Sequence, residues 1–276
     1  MRASLLVLAA LAAGLAAGIA IGRAWFRGEP QSCLYAPGKF ANPPPPGEKP
    51  QVIVGLDPQY PPFTQLLPNG SIVGFDVDLM KRIGRACGFE PVFKPWDWAT
   101  IVEALTSGDV DVIASGMTIT AARSQKVWFS VPYYFYTHYL VVRAGDNRSV
   151  DEILRGGVRV AVQTGSTADM LAERLIAEGY RVEKVGVESY PAALLAVVSG
   201  RADAGIFDSA FLMPYLRKNP SLAAQVRIVG SLGPTKAYAI ATRPGDKWLR
   251  DCINSALERL MESPEWRELL EKWGLG

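Results

Sequence analysis

The sequence is poor in the residues that build metal centres. It has one histidine, His138, and three cysteines, Cys33, Cys87 and Cys252, none in a CxxC or Cys/His spacing. A zinc or other imidazole-based site needs several such ligands close together, so none is expected. An excess of charge of one sign is missing too. Lys and Arg number 29 against 27 for Asp and Glu, a formal net charge of +2, and no basic run tracks a phosphate backbone. Nucleic acid is therefore not an expected partner. No Ser-His-Asp or Cys-His arrangement and no phosphate-cradling glycine loop occurs, so neither nucleophilic catalysis nor a cofactor is expected.

What is present is ordinary globular material with an unusual N-terminus. Hydrophobic residues make up 49% of the chain and charged residues 20%, enough for a real core. The 276 residues allow one large or two medium domains. Arg2 precedes a run of apolar and small residues from Ala3 to Gly22, followed by Arg23, Trp25 and Arg27. As a helix this run is about 30 Å long, enough to cross a bilayer. Residues 1–27 thus read as a cleaved secretory signal or as an uncleaved anchor, and either puts the rest of the chain outside the cytoplasm. The residues before Cys33 lack the aliphatic position of a lipoprotein cleavage site. Residues 28–50 read as a linker. Within it, Asn42 to Pro50 carries four consecutive prolines, Pro43 to Pro46, which lock φ and remove amide donors, so that stretch is expected to be an extended, unpacked spacer. The folded domain is expected to begin near Gln51.

From there, strand and helix patterns alternate. Gln51 to Leu56 is a Val/Ile strand, and Gly74 to Cys87 carries an apolar helical face ended by Gly88. Pro91 to Lys94 reads as a strand, Ala99 to Ser107 as a helix and Asp111 to Ala114 as a buried strand. The pattern repeats with strands at Val158 to Val162, Val182 to Val185 and Ala202 to Phe207, and helices at Ala168 to Glu178 and Tyr190 to Ser199. Between the sets lies the aromatic, β-branched stretch Val131 to Arg143, with a second such stretch at Lys236 to Thr242. Helices at Lys247 to Glu262 and Pro264 to Trp273 complete the chain. Two mainly parallel α/β units joined by two strands would form two lobes with a cleft at the carboxyl ends of their strands.

Eight segments in order resemble the polar amino-acid-binding proteins of ABC importers, the extracellular solute-binding proteins of family 3. They are DPQYPPF (57–63), GFDVDL (74–79), ALTSGDVD (104–111), SGMTITAAR (115–123), FSVPYY (129–134), VQTGST (162–167), GRADA (200–204) and KWG (272–274). The resemblance covers almost everything from Gln51 to Gly274. It implies a two-lobed periplasmic-binding-protein-like clamshell of the α/β class, type II, each lobe a sheet flanked by helices and the two joined by a two-strand hinge. Lobe 1 would span 51–136 and 236–276, and lobe 2 would span 140–232. The hinge would lie near 134–140 and 232–237.

It also implies a site. Arg123 matches the arginine that binds the ligand's α-carboxylate, where a guanidinium offers two parallel charge-assisted hydrogen bonds. Ser115, Gly116, Met117 and Thr118 would add groups from the same loop. Asp208 matches the aspartate that receives the α-ammonium. Ser166 and Thr167, at a helix start, suit the same carboxylate, and equally suit an ordinary N-cap. Tyr60 and Trp98 match aromatics that sandwich the ligand side chain, and Asp57 matches an acidic residue at its far end. A cationic side chain of the arginine or lysine class fits these groups, with glutamine next. Gln163 and Phe207 offer no basic group to an acidic ligand.

The expected partners are a free amino acid and an ABC permease, with the membrane met through the N-terminal segment and the chain acting as a monomer. Two other readings remain open: a prephenate dehydratase-like or transglycosylase-like enzyme on the same scaffold, which would need a general acid in the cleft, and a ligand-sensing module. The aromatic set Trp128, Phe129, Tyr133, Tyr134, Phe135, Tyr136 and Tyr139 reads as core and hinge packing, and His138 as structural. Cys87 and Cys252 would fall in the same lobe and are candidates to pair in an oxidising compartment, although sequence cannot place their Cα atoms.

Overall fold

The computed structural model describes residues 38–276. The expected signal or anchor at 1–27, the start of the linker and Cys33 lie outside the described residues. Among the described residues no helix is long and apolar enough to cross a membrane.

Two five-stranded sheets carry the fold. In the first, the strands run in the order Glu90–Pro95, Gln51–Leu56, Val112–Ile113, Ala241–Thr242, Trp128–Phe129. The first three are parallel, and Ala241–Thr242 is antiparallel to both of its neighbours. The second sheet runs Val182–Val187, Val158–Gln163, Ala204–Asp208, Tyr134–Arg143, Val226–Tyr238, again with three parallel strands and an antiparallel edge. A small antiparallel sheet, Gln59–Tyr60, Thr64–Leu66 and Ile72–Val73, closes over the first. The chain passes between the large sheets twice, from Phe129 to Tyr134 and from Tyr238 to Ala241.

Local chemistry explains the helix boundaries. Phe75–Cys87 buries Phe75, Leu79, Met80 and Ile83 along one stripe and stops where Gly88 turns left-handed at φ 76°. Thr167–Ala177 and Tyr190–Val198 both start from serine caps, Ser166 and Ser189, whose side chains accept the amides of Asp169 and Ala192. Four helices among the described residues were not expected from sequence, the one-turn Ala121–Ser124 and Pro220–Ala223 and two longer ones. Val150–Arg155 is a short capping-box helix. Ser209–Lys218 contains Pro214, which normally ends a helix because it lacks an amide and clashes with the preceding turn. Here Phe211 and Leu212 bury their side chains on the second sheet, and that packing overrides the local signal.

Packing against the folded body begins just before the proline stretch. Gly38 to Ala41 is docked on the folded body. Phe40 is 5% exposed, its amide donates to Asp246 Oδ1 at 2.7 Å, and the Phe40 and Ala41 carbonyls accept the amides of Leu249 and Trp248 at 3.4 and 3.3 Å. The helix Lys247–Met261 begins at this point, and the first turn of a helix has amides without intrahelical acceptors. The chain supplies those acceptors and buries a phenyl ring, worth about 1.5–3 kcal/mol. Pro43, Pro45 and Pro46 remain exposed.

Cys87 and Cys252 form a disulfide, with Cα atoms 5.8 Å apart, tying the end of Phe75–Cys87 to Lys247–Met261. Of the aromatic set, Tyr133 and Tyr136 are buried, while Phe135 is 62% exposed.

Candidate functional site

Loops leaving the carboxyl ends of strands in both large sheets converge on a narrow cavity. This is where an α/β sheet presents loop amides and side chains without breaking its own ladder. From the first sheet come Asp57 and Tyr60 after Gln51–Leu56, Trp98 after Glu90–Pro95, and Ser115, Gly116 and Thr118 after Val112–Ile113. From the second come Gln163, Ser166 and Thr167 after Val158–Gln163, Tyr190 after Val182–Val187, and Asp208 at the end of its strand.

Asp208 is the electrostatic centre. It is 4% exposed and accepts the hydroxyls of Tyr60 at 3.0 Å, Tyr190 at 2.8 Å and Tyr238 at 2.7 Å. His138 Nε2 stands 3.1 Å from Oδ1, the oxygen Tyr190 reaches, while the Tyr60 and Tyr238 hydroxyls meet both at Oδ2 and at one another. Burial first, then the Asp208 charge, pushes all three phenols well above their ordinary pKa, so each remains a hydrogen-bond donor. Asp57 is the second buried carboxylate, at 3% exposure. Its Oδ2 accepts Gln163 Nε2 at 2.8 Å, and desolvation raises its pKa against the pull of the Gln59 amide and Gln163.

Arg123 is the nearest buried cation. Its guanidinium donates to Thr118 O at 3.0 Å and Gly165 O at 3.1 Å and lies over the Trp98 ring at 5.2 Å. Burial lowers its pKa, but a guanidinium stays charged in proteins. Several of these bonds cross from one sheet's loops to the other's: Tyr60 to Asp208, Gln163 to Asp57, and Arg123 to Gly165. The Tyr136 hydroxyl bridges Thr118 Oγ1 at 2.7 Å and Thr167 Oγ1 at 2.8 Å in the same way. Gly116 is required by geometry. At φ 57° its absent Cβ would come 2.5 Å from Tyr60 Cε1.

Residues 52–276 match the family model described as bacterial extracellular solute-binding proteins, family 3. The chain belongs to this family. A probable histidine-binding protein of Neisseria gonorrhoeae is 33% identical over 221 residues, 80% of this chain and 81% of that protein. A putative ABC transporter arginine-binding protein 2 of Escherichia coli (strain K12) is 31% identical over 220 residues, 78% of this chain and 86% of that one. A solved ancestral arginine-binding protein bound to arginine superposes with a TM-score of 0.74 at 36% identity, covering 81% of this chain and 97% of that one. All three are named as binding proteins, and the two-lobed α/β fold is common to the family and to this chain.

Within this solute-binding fold, ten of the twelve expected site residues line the cavity: Asp57, Tyr60, Trp98, Ser115, Gly116, Thr118, Gln163, Ser166, Thr167 and Asp208. Met117 and Arg123 do not. The Met117 side chain is fully buried among Ile113, Val127 and their neighbours, because its strand-end position turns it into the core. Arg123 lies behind Trp98 and Thr118. Some expected groups are engaged inside the protein: Ser115 Oγ accepts the Asp57 amide at 3.0 Å, and Ser166 Oγ caps its helix at Asp169. Phe207 is fully buried and packs at 5.8 Å from Tyr190.

Sequence reasoning missed Tyr190 and Tyr238 as parts of the site and took Tyr136 for packing. Tyr190 carried a usable signal, since it follows a strand end and the Ser189 cap as directly as Thr167 follows Ser166. Tyr238 had none, because its place depends on which crossing strand lies beside Asp208.

Proposed function

We propose that this chain captures a free polar amino acid with a cationic side chain, of the arginine or lysine class, outside the cytoplasm and delivers it to an ABC permease. The observation that carries this reading is the charge balance in and beside the cleft: two buried carboxylates in its lining, Asp57 and Asp208, and one buried guanidinium, Arg123, packed against its wall residues Trp98 and Thr118. A basic amino acid brings two positive charges and one negative. It would therefore leave no uncompensated charge in a closed, desolvated site, where each would cost several kcal/mol. Arg123 would take the α-carboxylate with the Thr167 side of the cleft, Asp208 the α-ammonium, and Asp57 the far end of the side chain between Tyr60 and Trp98. The names of the arginine- and histidine-binding relatives support the class.

In this reading the lobes, 51–136 with 236–276 and 140–232, close on the ligand by bending near 134–140 and 232–237. Residues 1–27 export or anchor the chain, the prolines of 43–46 hold the body off the membrane, and one clamshell per chain works as a monomer. No catalytic step is assigned, so incubation with prephenate should yield no product.

The test is thermal unfolding of ligand-stripped, full-length protein against the twenty amino acids with ornithine and citrulline. A ligand at a hundredfold excess over its dissociation constant adds about 2.7 kcal/mol of apparent stability. The expected shift is confined to arginine, lysine or ornithine, is abolished in Arg123→Ala, and is weakened in Asp57→Asn. A shift with glutamate alone would refute the charge argument, and no shift with any of them would refute amino-acid capture.

A further inference from the structure

Beside the cleft, the strand Val226–Tyr238 loses register with Tyr134–Arg143 between Leu232 and Lys236. Gly233 there adopts φ 73°, the chain leaves the ladder, and a solvent-open recess of about 190 Å³ results. Its polar groups come from Thr120, His138, Thr167, Arg174 and Lys236, and its remaining wall is apolar, with no carboxylate in the lining. Lys236 is half-buried and has no hydrogen-bond or ion-pair partner among the described residues. Burial first, and then the nearby Arg174 charge, lowers its pKa, and the more distant Asp208 charge only partly opposes them. Arg174 meets only Glu178, one turn along its own helix, at 3.5 Å. A Cβ on Gly233 would lie 3.7 Å from Arg174 Nη2, which places the guanidinium against the turn. His138 is fully buried, its Nε2 faces Thr167 Oγ1 at 3.2 Å and Asp208 at 3.1 Å, and its Nδ1 has no hydrogen-bond partner among the described residues.

We propose that this recess is a second ligand site, for a small oxyanion or carboxylate held between Lys236 and Arg174 behind Thr167 of the cleft. Two like charges facing one recess repel, and an anion between them converts that repulsion into two attractions in a partly desolvated setting. The threonine hydroxyls add donors. Lys236 belongs to the hinge strand, Arg174 to the helix Thr167–Ala177, and Thr120 caps the short helix Ala121–Ser124 that carries Arg123. An anion spanning these groups ties the Arg123 loop to the second sheet and so favours the closed form. That coupling rests on the amino-acid reading above, whereas the anion site itself does not. By linkage, the anion strengthens amino-acid binding by the same factor as the amino acid strengthens anion binding.

Calorimetric titration of sodium sulfate into the full-length protein at fixed ionic strength tests this. One saturable site is expected, weakened at least tenfold by Lys236→Met and, independently, by Arg174→Gln on an exposed helix face, and unchanged by Arg123→Ala. Parallel titrations with sodium phosphate and sodium succinate separate an inorganic oxyanion from a carboxylate by which binds more tightly. No saturable heat from any of the three, or wild-type affinity in both cation variants, would overturn the site. Loss of binding in Arg123→Ala would move the anion into the cleft and overturn it as well. If sulfate binds but leaves the amino-acid dissociation constant unchanged, the coupling fails while amino-acid capture stands.

Discussion

Among single residues, Asp76 shows how burial and geometry set a pH response. It is fully buried at the start of Phe75–Cys87, and its Oδ2 accepts the Gly116 amide at 2.7 Å, pinning the turn that meets Tyr60. Desolvation, opposed by the nearby Tyr133 hydroxyl and by the Gly116 amide, pushes its pKa up from 3.8 to about 7. A carboxyl with a raised folded pKa holds its proton more tightly folded than unfolded. Its stabilising contribution is therefore complete below about pH 4 and is lost as pH rises toward 7. Asp76→Asn keeps an acceptor for Gly116 but cannot ionise. Urea unfolding of both proteins from pH 4.5 to 8 should show the difference moving in favour of the variant by a few kcal/mol as pH rises. Parallel stability profiles would show that Asp76 does not titrate in this range.

Between elements, the disulfide joins helices whose cysteines are 165 residues apart in sequence, while the helices themselves already pack through Ile83, Ile253 and their neighbours. The bond acts mainly by restricting the unfolded chain, worth about 2–4 kcal/mol. Cys87→Ser with Cys252→Ser should lower the unfolding free energy by that amount under non-reducing conditions. Amino-acid affinity should change less than twofold, because neither cysteine lines the cleft. An affinity loss matching the stability loss would place the bond in the binding mechanism. At this scale the strand–helix alternation was legible because apolar periodicity and the Gly88, Ser166 and Ser189 boundary signals are local. Ser209–Lys218 was not legible, since Pro214 speaks against a helix locally and only burial of Phe211 and Leu212 on the sheet outweighs it.

For the molecule as a whole, closure should depend on bonds that cross the cleft. The Tyr136 hydroxyl is one of these, holding Thr118 of one side and Thr167 of the other. Tyr136→Phe removes both hydrogen bonds and keeps the ring, which packs 4.5 Å from Tyr238. Each such bond is worth about 0.5–1.5 kcal/mol. Small-angle scattering should show a smaller radius of gyration with saturating arginine in both proteins, and the arginine dissociation constant should rise about tenfold in the variant. An unchanged constant would mean that the bridge does not contribute to the closed state.

Local signals along the chain set the α/β class, the strand ends from which site residues emerge, and the presence of two acidic groups and one arginine in matching motifs. These follow from hydrophobic period, turn chemistry and residue type, all of which act over a few positions. Packing in three dimensions turns Met117 into the core and brings Tyr60, Tyr190, Tyr238 and His138 together on Asp208. It alone paired Cys87 with Cys252 and packed Phe40 against the helix beginning at Lys247. Such contacts join residues up to 206 positions apart. Their geometry depends on how the sheets and helices stack, and no local property of the chain encodes that.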